Sequence, residues 1–86
     1  MDYLIKSEGA VLGFCVQKYY IDFLCKKMLY KMDIESGKII CKKEIFEKEG
    51  SARIMTADEN RIYISDFCTL YVLDREDFEN IGKWKI

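Results

Sequence analysis

The sequence contains no histidine among its 86 residues. Histidine is the usual general base near neutral pH and the commonest metal ligand, so its absence removes the most frequent centre of acid–base and metal chemistry. The chain also lacks a glycine-rich phosphate loop, a Gly-x-Ser-x-Gly nucleophile motif and an Asp-x-Asp-x-Asp calcium run. We therefore predict no catalytic residue, no metal ligand and no cofactor-binding residue.

The sequence also has neither an excess of charge of one sign nor a long apolar run. Lys and Arg number 14 against 15 Asp and Glu, and the two signs are interleaved, as in Lys42-Lys43-Glu44. This balance offers no electrostatic basis for binding nucleic acid or an anionic membrane surface. No apolar run approaches the roughly 20 residues of a membrane span, and Met1-Asp2 does not open a secretory signal. We expect a cytoplasmic protein with no membrane or nucleic-acid partner.

The four cysteines show no Cys-x-x-Cys spacing. Without an export signal, and without histidine to complete a zinc site, reduced and half-buried thiols are the simplest interpretation. A disulfide framework or a zinc site is the less favoured alternative. The cysteines stand at Cys15, Cys25, Cys41 and Cys68.

One pattern is strong: the chain repeats itself at a fixed interval. An ungapped shift of 41 overlays 45 pairs of residues, of which ten are identical. Ordinary composition would give about three, at roughly 6–7 % per pair. A period of this size is typical of solenoids, propellers and other repeat arrays. The identical pairs include Gly9/Gly50, Ile21/Ile62, Leu29/Leu70, Tyr30/Tyr71, Asp33/Asp74 and Ile40/Ile81.

Each copy contains four short segments with the alternation and the β-branched or aromatic content of strands. No apolar face of helical period lasts for three turns. Gly37 stands in one of the turns, where its freedom to adopt positive φ suits a hairpin. Four antiparallel strands per period predict the blade of a β-propeller, with a small barrel or sandwich as the alternative. The segments are 10–16, 19–24, 28–33 and 38–46 in the first copy, and 52–57, 61–65, 69–73 and 81–86 in the second.

We predict one all-β domain over residues 1–86, a partial propeller of two four-stranded antiparallel blades. Residues 1–6 overlay the end of the first copy and are predicted to form part of an outer strand. The first blade is predicted over 7–47 and the second over 48–86. Propellers typically have four to eight blades, and repeat units usually need about three or more for stability. Each end of a two-blade stack would therefore expose an apolar face, which is an association surface.

Particular runs resemble a known family. The second copy reads RIYISD at 61–66 and TLYVLD at 69–74, and the first reads LYKMD at 29–33 followed by Ser36-Gly37-Lys38. This pattern is similar to the PQQ-like β-propeller repeat, with its Leu-Tyr-x-Leu-Asp ending and Thr/Ser-Gly-Lys turn. WD40 repeats share the four-strand period, but their Gly-His and Trp-Asp dipeptides are absent.

The resemblance implies the fold rather than the enzyme. The family usually has a Trp a few residues after Gly-Lys, where this chain has Ile40-Cys41, and the second copy lacks Gly-Lys. The family's quinone-dependent dehydrogenases also need a whole ring of blades and a calcium site, which two blades cannot enclose. We expect no quinone cofactor.

The acidic residues fit turns better than catalysis. Asp33 and Asp74 end equivalent strands and are predicted to accept hydrogen bonds from backbone N–H groups of the following turn. Further carboxylates are predicted at or near turns, at Asp22, Asp58, Glu59 and Asp66.

The aromatic residues offer candidate partner contacts. Most of them alternate along strands, as expected of packing between blades. Phe67 stands in a predicted turn and is the first candidate for contact with a partner. Tyr19 and Trp84 are the other two, because Tyr and Trp are common in interaction hot spots.

We therefore expect a non-enzymatic interaction or scaffold module that binds protein or peptide. Its propeller would be completed by further copies of the chain, closing a ring, or by further blades. The alternative is a fragment of a larger propeller enzyme or sensor whose active site lies in absent blades. A lone small β-domain is a third possibility.

Overall fold

The computed structural model describes residues 11–48, 53–66 and 68–85. The partial outer strand predicted over 1–6, and Phe67, lie outside these residues. The described chain forms eight strands and contains no helix. They are β1 (Val11–Val16), β2 (Tyr20–Cys25), β3 (Met28–Asp33), β4 (Ile39–Glu44), β5 (Arg53–Ala57), β6 (Arg61–Asp66), β7 (Thr69–Asp74) and β8 (Asn80–Lys85).

The strands form two antiparallel sheets of four, each in simple sequential order. We call β1 to β4 sheet A and β5 to β8 sheet B. Within each sheet, every strand pairs with the next along the chain through a short connection, as in a β-meander. The prediction of an all-β chain with two four-stranded antiparallel sheets is confirmed, and the strand bounds differ from the predicted ones by at most two residues.

The period of the sequence is present in the structure as well. The bounds of β6, β7 and β8 are those of β2, β3 and β4 moved by one period. The irregularity in pairing between Lys31 and Met32 recurs one period later, between Val72 and Leu73. Bulges re-aim the strand that carries them, so an irregularity at the same place in both sheets is a structural feature that the two copies share.

The two sheets pack face to face around a shared apolar core. Leu24 and Leu29 of sheet A, and Ile62, Ile64 and Leu73 of sheet B, belong to one cluster, and each is at most 2 % exposed. Leu24 pairs with Leu29, and Ile62 with Leu73, so each pair lies on one side of its sheet. We call these sides the inner faces and the opposite sides the outer faces.

The first strands of the two sheets, β1 and β5, make the main strand-to-strand contact between them. A Cβ atom placed on Gly13 of β1 would lie 3.4 Å from the Cβ of Met55 on β5. The absence of a side chain at Gly13 thus lets the backbones approach closely at this point.

Candidate functional site

Three buried charges connect the two sheets near one end. Asp22 lies on β2 with no exposed surface, and its Oδ1 is 3.2 Å from Nζ of Lys31 on β3. Arg75, in the turn after β7, donates from Nε to Asp22 Oδ2 at 2.9 Å. The prediction that Asp22 lies at or near a turn is wrong, because it sits inside a strand on the face that packs against sheet B.

The register of the strands places these groups together. Asp22 and Lys31 are directly opposite each other on β2 and β3, so their side chains share the inner face. Two hydrogen bonds to the β5–β6 turn position Arg75. Its backbone N–H donates to Asn60 O at 2.9 Å, and its Nη1 donates to Asp58 O at 2.7 Å. Among the described residues, Arg75 Nη2 is buried without a hydrogen-bond partner. The cluster therefore holds two cations against one carboxylate, away from water.

A cleft opens beside this cluster, where the turns of the two sheets meet. One recess of about 600 Å³ runs between the β1–β2 turn and the β5–β6 turn, and an adjoining recess has about 350 Å³. Tyr19 lies on its edge with 62 % of its surface exposed. Such a cleft offers an aromatic ring, donors and acceptors to a polar ligand. Both recesses are lined by Gln17, Tyr20, Glu59 and Arg75.

The carboxylate of Asp58 organises one side of the cleft. It accepts from the backbone N–H of Asn60 at 2.9 Å, from Tyr63 OH at 2.8 Å and from the N–H of Arg61 at 2.8 Å. These bonds, that from Asn60 first, lower the pKa of Asp58. The same carboxylate raises the pKa of Tyr63. A carboxylate with a lowered pKa is a weak base, so Asp58 is poorly suited to abstract a proton. Its hydrogen bonds to the turn N–H groups suit it to stabilise the turn instead.

The thiols offer no activated nucleophile at this site. Cys15 lies on β1 opposite Asp22, and burial is the main cause that raises its pKa, although Arg75 acts in the other direction. A raised pKa keeps the sulfur protonated, whereas the thiolate is the reactive form. All four cysteines are thiols, as predicted, but only Cys15 and Cys41 are half-buried, since Cys25 is buried and Cys68 is exposed.

At the opposite end, a second arginine of sheet B reaches sheet A. Arg53 on β5 is 7 % exposed, and its Nη1 donates to Lys26 O in the β2–β3 turn at 3.0 Å. Its guanidinium also lies 3.6 Å from the centre of the Phe46 ring. Arg53 and Arg75 therefore join the two sheets at both ends of the core.

The outer faces carry several of the exposed apolar residues. On sheet B, Ile54 is 71 % exposed and Trp84 is 52 % exposed. On sheet A, Phe14 and Val16 of β1 are 62 % and 61 % exposed. The outer face of sheet A also contains a buried cluster, formed by Phe23, Cys25 and Tyr30.

The structure separates the predicted partner contacts. Tyr19 lies at the cleft, whereas Trp84 lies on the outer face of sheet B, opposite Leu70 and towards the other end of the strands. Both are exposed, and Phe67 lies outside the described residues. The ring of Trp84 covers Gly82 so closely that a Cβ at Gly82 would overlap it.

Sequence reasoning missed the buried charges. A lone carboxylate in the apolar strand YIDFLC was the available signal for Asp22. Arg75 had no such signal, because it stands in a polar turn. The predicted role of Asp33 and Asp74 is confirmed, since their Oδ1 atoms accept from the N–H groups of Ser36 and Glu76.

The chain matches no protein-family model, and it matches no curated protein at a significant level. Within the described ranges, no helix is long and apolar enough to cross a membrane. The same residues contain no group of three or more Cys, Asp or Glu side chains placed to hold a metal ion.

Proposed function

We propose that this chain is a non-catalytic, cytoplasmic interaction module of the β-propeller type, and that its outer sheet faces bind protein. In this proposal sheets A and B are two successive blades, and further blades cover the faces left over. The resemblance to PQQ-like repeats supports the same assignment.

The observation that carries the proposal is the choice of faces at the contact between the sheets. Under the repeat shift, Ile62 and Ile64 of sheet B correspond to Ile21 and Phe23 of sheet A. The first two lie on the inner face of sheet B, whereas Phe23 belongs to the outer cluster of sheet A. The face of sheet B that meets sheet A is therefore the repeat equivalent of the outer face of sheet A. The two sheets contact each other through different faces of the repeat, as successive blades do in head-to-tail stacking, and not through the same face.

Head-to-tail stacking leaves one face of each kind outside the contact between the sheets. The outer face of sheet A corresponds to the inner face of sheet B, and the outer face of sheet B corresponds to the inner face of sheet A. The repeat equivalent of each outer face is covered by the other sheet within this chain, which favours another unit of the same repeat as a partner of the outer faces. The alternative, a part of a larger propeller enzyme or sensor, stays a prediction, because its active site would lie in blades outside this chain.

A tandem chain tests whether the outer faces stack. Fusing residue 86 of one copy to residue 5 of a second continues the repeat spacing, since residue 5 overlays 46 and residue 45 overlays 86. If the faces are blade surfaces, urea unfolding of the tandem shows a free energy of unfolding that exceeds the sum for two separate chains by about 1–3 kcal/mol. The measurement uses a concentration at which the tandem is monomeric.

The same substitution in two places provides the matched control. Ile54→Lys in the first copy places a charge in the new contact and should remove the extra stability. Ile54→Lys in the second copy lies on the free end and should leave the extra stability in place. Two copies that unfold independently in the unsubstituted tandem would contradict the proposal.

A further inference from the structure

We propose that the outer face of sheet B binds the same face of a second copy of this chain and so forms a two-fold dimer. This inference rests on the proposed function, which makes that face a protein-binding surface, and it names the partner. The residues of the face, their exposure and their lack of charge carry it.

Two cross-strand rows of uncharged residues form the centre of this face. Directly opposed residues of an antiparallel pair share a face, so each row can be followed from β5 to β8 through the strand pairing. None of the eight residues is charged, although charged residues make up 34 % of the chain. Charged residues are depleted at the centres of protein interfaces, so this composition is typical of a surface that a partner covers. The rows consist of Ile54, Ser65, Leu70 and Trp84, and of Thr56, Tyr63, Val72 and Gly82.

The face is open to solvent from its first strand to its last. Ile54 on β5 is 71 % exposed, more than any other large apolar residue of the described chain, and Trp84 on β8 is 52 % exposed. Among the eight residues only Val72 is buried, and it lies opposite Gly82, over which the ring of Trp84 folds. An open apolar surface rimmed by polar residues is suited to association.

The two aromatic rings of this face are held in place before any partner arrives. Tyr63 OH donates to Asp58 Oδ2 at 2.8 Å, and the ring of Trp84 lies so close to Gly82 that a Cβ there would overlap it. Side chains that are already fixed lose little conformational freedom when a partner covers them. Tyr and Trp are also frequent among the residues that contribute most to binding, so these two rings are the expected anchors.

The lack of charge selects the same face of a second copy as the partner. A surface with an uncharged centre needs a partner that is uncharged at the matching positions, because an ion buried without its counter-charge is costly. A two-fold axis pairs the face with itself, so every residue that one copy brings to the centre of the contact is uncharged in the other copy as well. The face is therefore complementary to itself.

The outer face of sheet A is a poorer partner. Its centre is already buried within the single chain, since Phe23, Cys25 and Tyr30 are at most 7 % exposed. It also carries charge, because the exposed Lys42 lies opposite Tyr30. Pairing of sheet B with sheet B uses a face that is both open and uncharged, and a two-fold contact of this kind stops at two copies.

The dimensions of the face determine how strong this contact is. Four strands at the usual spacing, each five or six residues long, cover an area of about 19 Å by 17 Å. Interfaces of stable complexes bury about 800 Å² on each partner, so this face lies at the small end of the range. We therefore expect a dimer that dissociates on dilution.

The masses of the wild type and two variants test the inference. Analytical ultracentrifugation from micromolar to millimolar concentration should show the wild-type chain in equilibrium between monomer and dimer. Ile54→Lys should weaken the dimer at least about tenfold, because the two-fold axis brings the new charge into the contact twice. Phe14→Lys is the matched control, since Phe14 is 62 % exposed on the outer face of sheet A. It should dimerise as the wild type does.

The emission of Trp84, the single Trp of the chain, provides a second measurement. As concentration rises, this emission should shift to the blue in the wild type and in Phe14→Lys, because a partner covers the ring. In Ile54→Lys it should stay at the value of the monomer over the same range. Thermal unfolding of each variant at low concentration establishes that it is folded.

Several results would overturn the inference. A wild-type chain that stays monomeric at millimolar concentration has no such partner, and an Ile54→Lys variant that dimerises as the wild type does uses another surface. Masses beyond the dimer, or a dimer that Phe14→Lys weakens as much as Ile54→Lys, would indicate contact between sheet B and sheet A instead.

The tandem chain separates this inference from the proposed function. If the tandem shows its extra stability while free chains stay monomeric, the two-fold dimer fails and the stacking of blades stands. If free chains dimerise through Ile54 while the two copies of the tandem unfold independently, the stacking of blades fails and the dimer stands.

Discussion

At the scale of single residues, the repeat keeps a backbone conformation while changing the side chain that adopts it. Gly37 and Phe78 are one period apart and occupy equivalent turns, with φ of 74° and 64°. Glycine adopts positive φ freely, whereas phenylalanine does so at a cost of about 1–2 kcal/mol. Phe78 is fully buried in the core between the sheets, so its packing offsets this cost.

At Phe78, glycine should be tolerated better than alanine, which is the reverse of the usual order of stability. We expect Phe78→Ala to lower the free energy of unfolding by about 3–5 kcal/mol through loss of packing. Phe78→Gly should be less destabilising than Phe78→Ala by about 1 kcal/mol, because glycine relieves the positive φ. Gly37→Ala should destabilise by about 1 kcal/mol for the same reason. Urea unfolding measures all three, and a Phe78→Gly variant less stable than Phe78→Ala would contradict the explanation.

The pair formed by Asp58 and Tyr63 makes stability depend on pH in two windows. Folding lowers the pKa of Asp58 mainly through the N–H of Asn60, and it raises the pKa of Tyr63 mainly through Asp58. The contribution of Asp58 is therefore present above its unfolded pKa of about 4 and is lost as pH falls through the folded pKa. That of Tyr63 is present below its unfolded pKa of about 10 and is lost as pH rises through the folded value.

We expect single substitutions to remove the pH dependence of the free energy of unfolding in the acid range and in the alkaline range separately. Asp58→Asn keeps a side-chain acceptor but cannot titrate, so it should reduce the loss of stability on acidification. Tyr63→Phe should remove the alkaline loss and leave most of the acid loss, since the N–H groups still hold Asp58. Free energies of unfolding across the pH range provide the measurement, with Asp77→Asn as an exposed control. An acid profile unchanged by Asp58→Asn would exclude this assignment.

At the scale of elements, β1 and β5 determine how closely the sheets approach. Both are first strands of their sheets, yet they differ at the equivalent positions Gly13 and Ile54. Gly13 lies inside the contact, where the neighbouring Cβ of Met55 leaves room for little more than one carbon atom. Ile54 lies on the outer face, where its side chain has space. The difference between two equivalent residues thus follows from which side of the sheet is covered.

Placing the isoleucine of the second copy at the equivalent position of the first copy should show that space at Gly13 is limited. Gly13→Ile is expected to destabilise the chain by about 1–3 kcal/mol, because the larger side chain overpacks against Met55. Gly13→Ala should be nearly neutral, since its Cβ would make an ordinary contact. Adding Met55→Ala to Gly13→Ile should recover part of the loss, as expected of residues in contact. Equal stabilities of the Ala and Ile variants in urea would show that β1 and β5 do not limit the spacing.

At the scale of the whole molecule, buried charged side chains join the two sheets at both ends of the core. Asp22 of sheet A receives Arg75 of sheet B at one end, and Arg53 of sheet B reaches Lys26 O of sheet A at the other. A buried charge without its counterpart is costly, so these contacts favour this relative placement of the sheets over a slipped one. The apolar core supplies attraction, and the charges supply a unique alignment.

Removing the shared carboxylate should therefore affect both sheets. We expect Asp22→Asn to lower the free energy of unfolding by about 3–5 kcal/mol, because Lys31 and Arg75 stay buried without a counter-charge. Asp77→Asn makes the same chemical change at an exposed turn and should cost less than about 0.5 kcal/mol. Chemical unfolding of both variants gives the comparison. A cost for Asp22→Asn as small as that for Asp77→Asn would show that the cluster does not hold the sheets together.

The sequence by itself determined the period, the strand content and the chemistry of the turns. Leu29-Tyr30 and Leu70-Tyr71 mark equivalent strands, and Asp33 and Asp74 cap the turns that follow. These features could be predicted because alternation, turn composition and local hydrogen bonds depend on residues only a few positions apart.

Only the tertiary structure decided which face of each sheet is covered and which charges are buried. Asp22 and Arg75 are 53 residues apart in the chain, and no local pattern indicates that they meet. Phe78 has the turn position of a glycine and becomes part of the core because sheet A lies above it. Alternation along a strand specifies two faces but does not state which one meets the other sheet. That choice depends on the fit of distant side chains, and it also determined where the candidate interaction surfaces remain exposed.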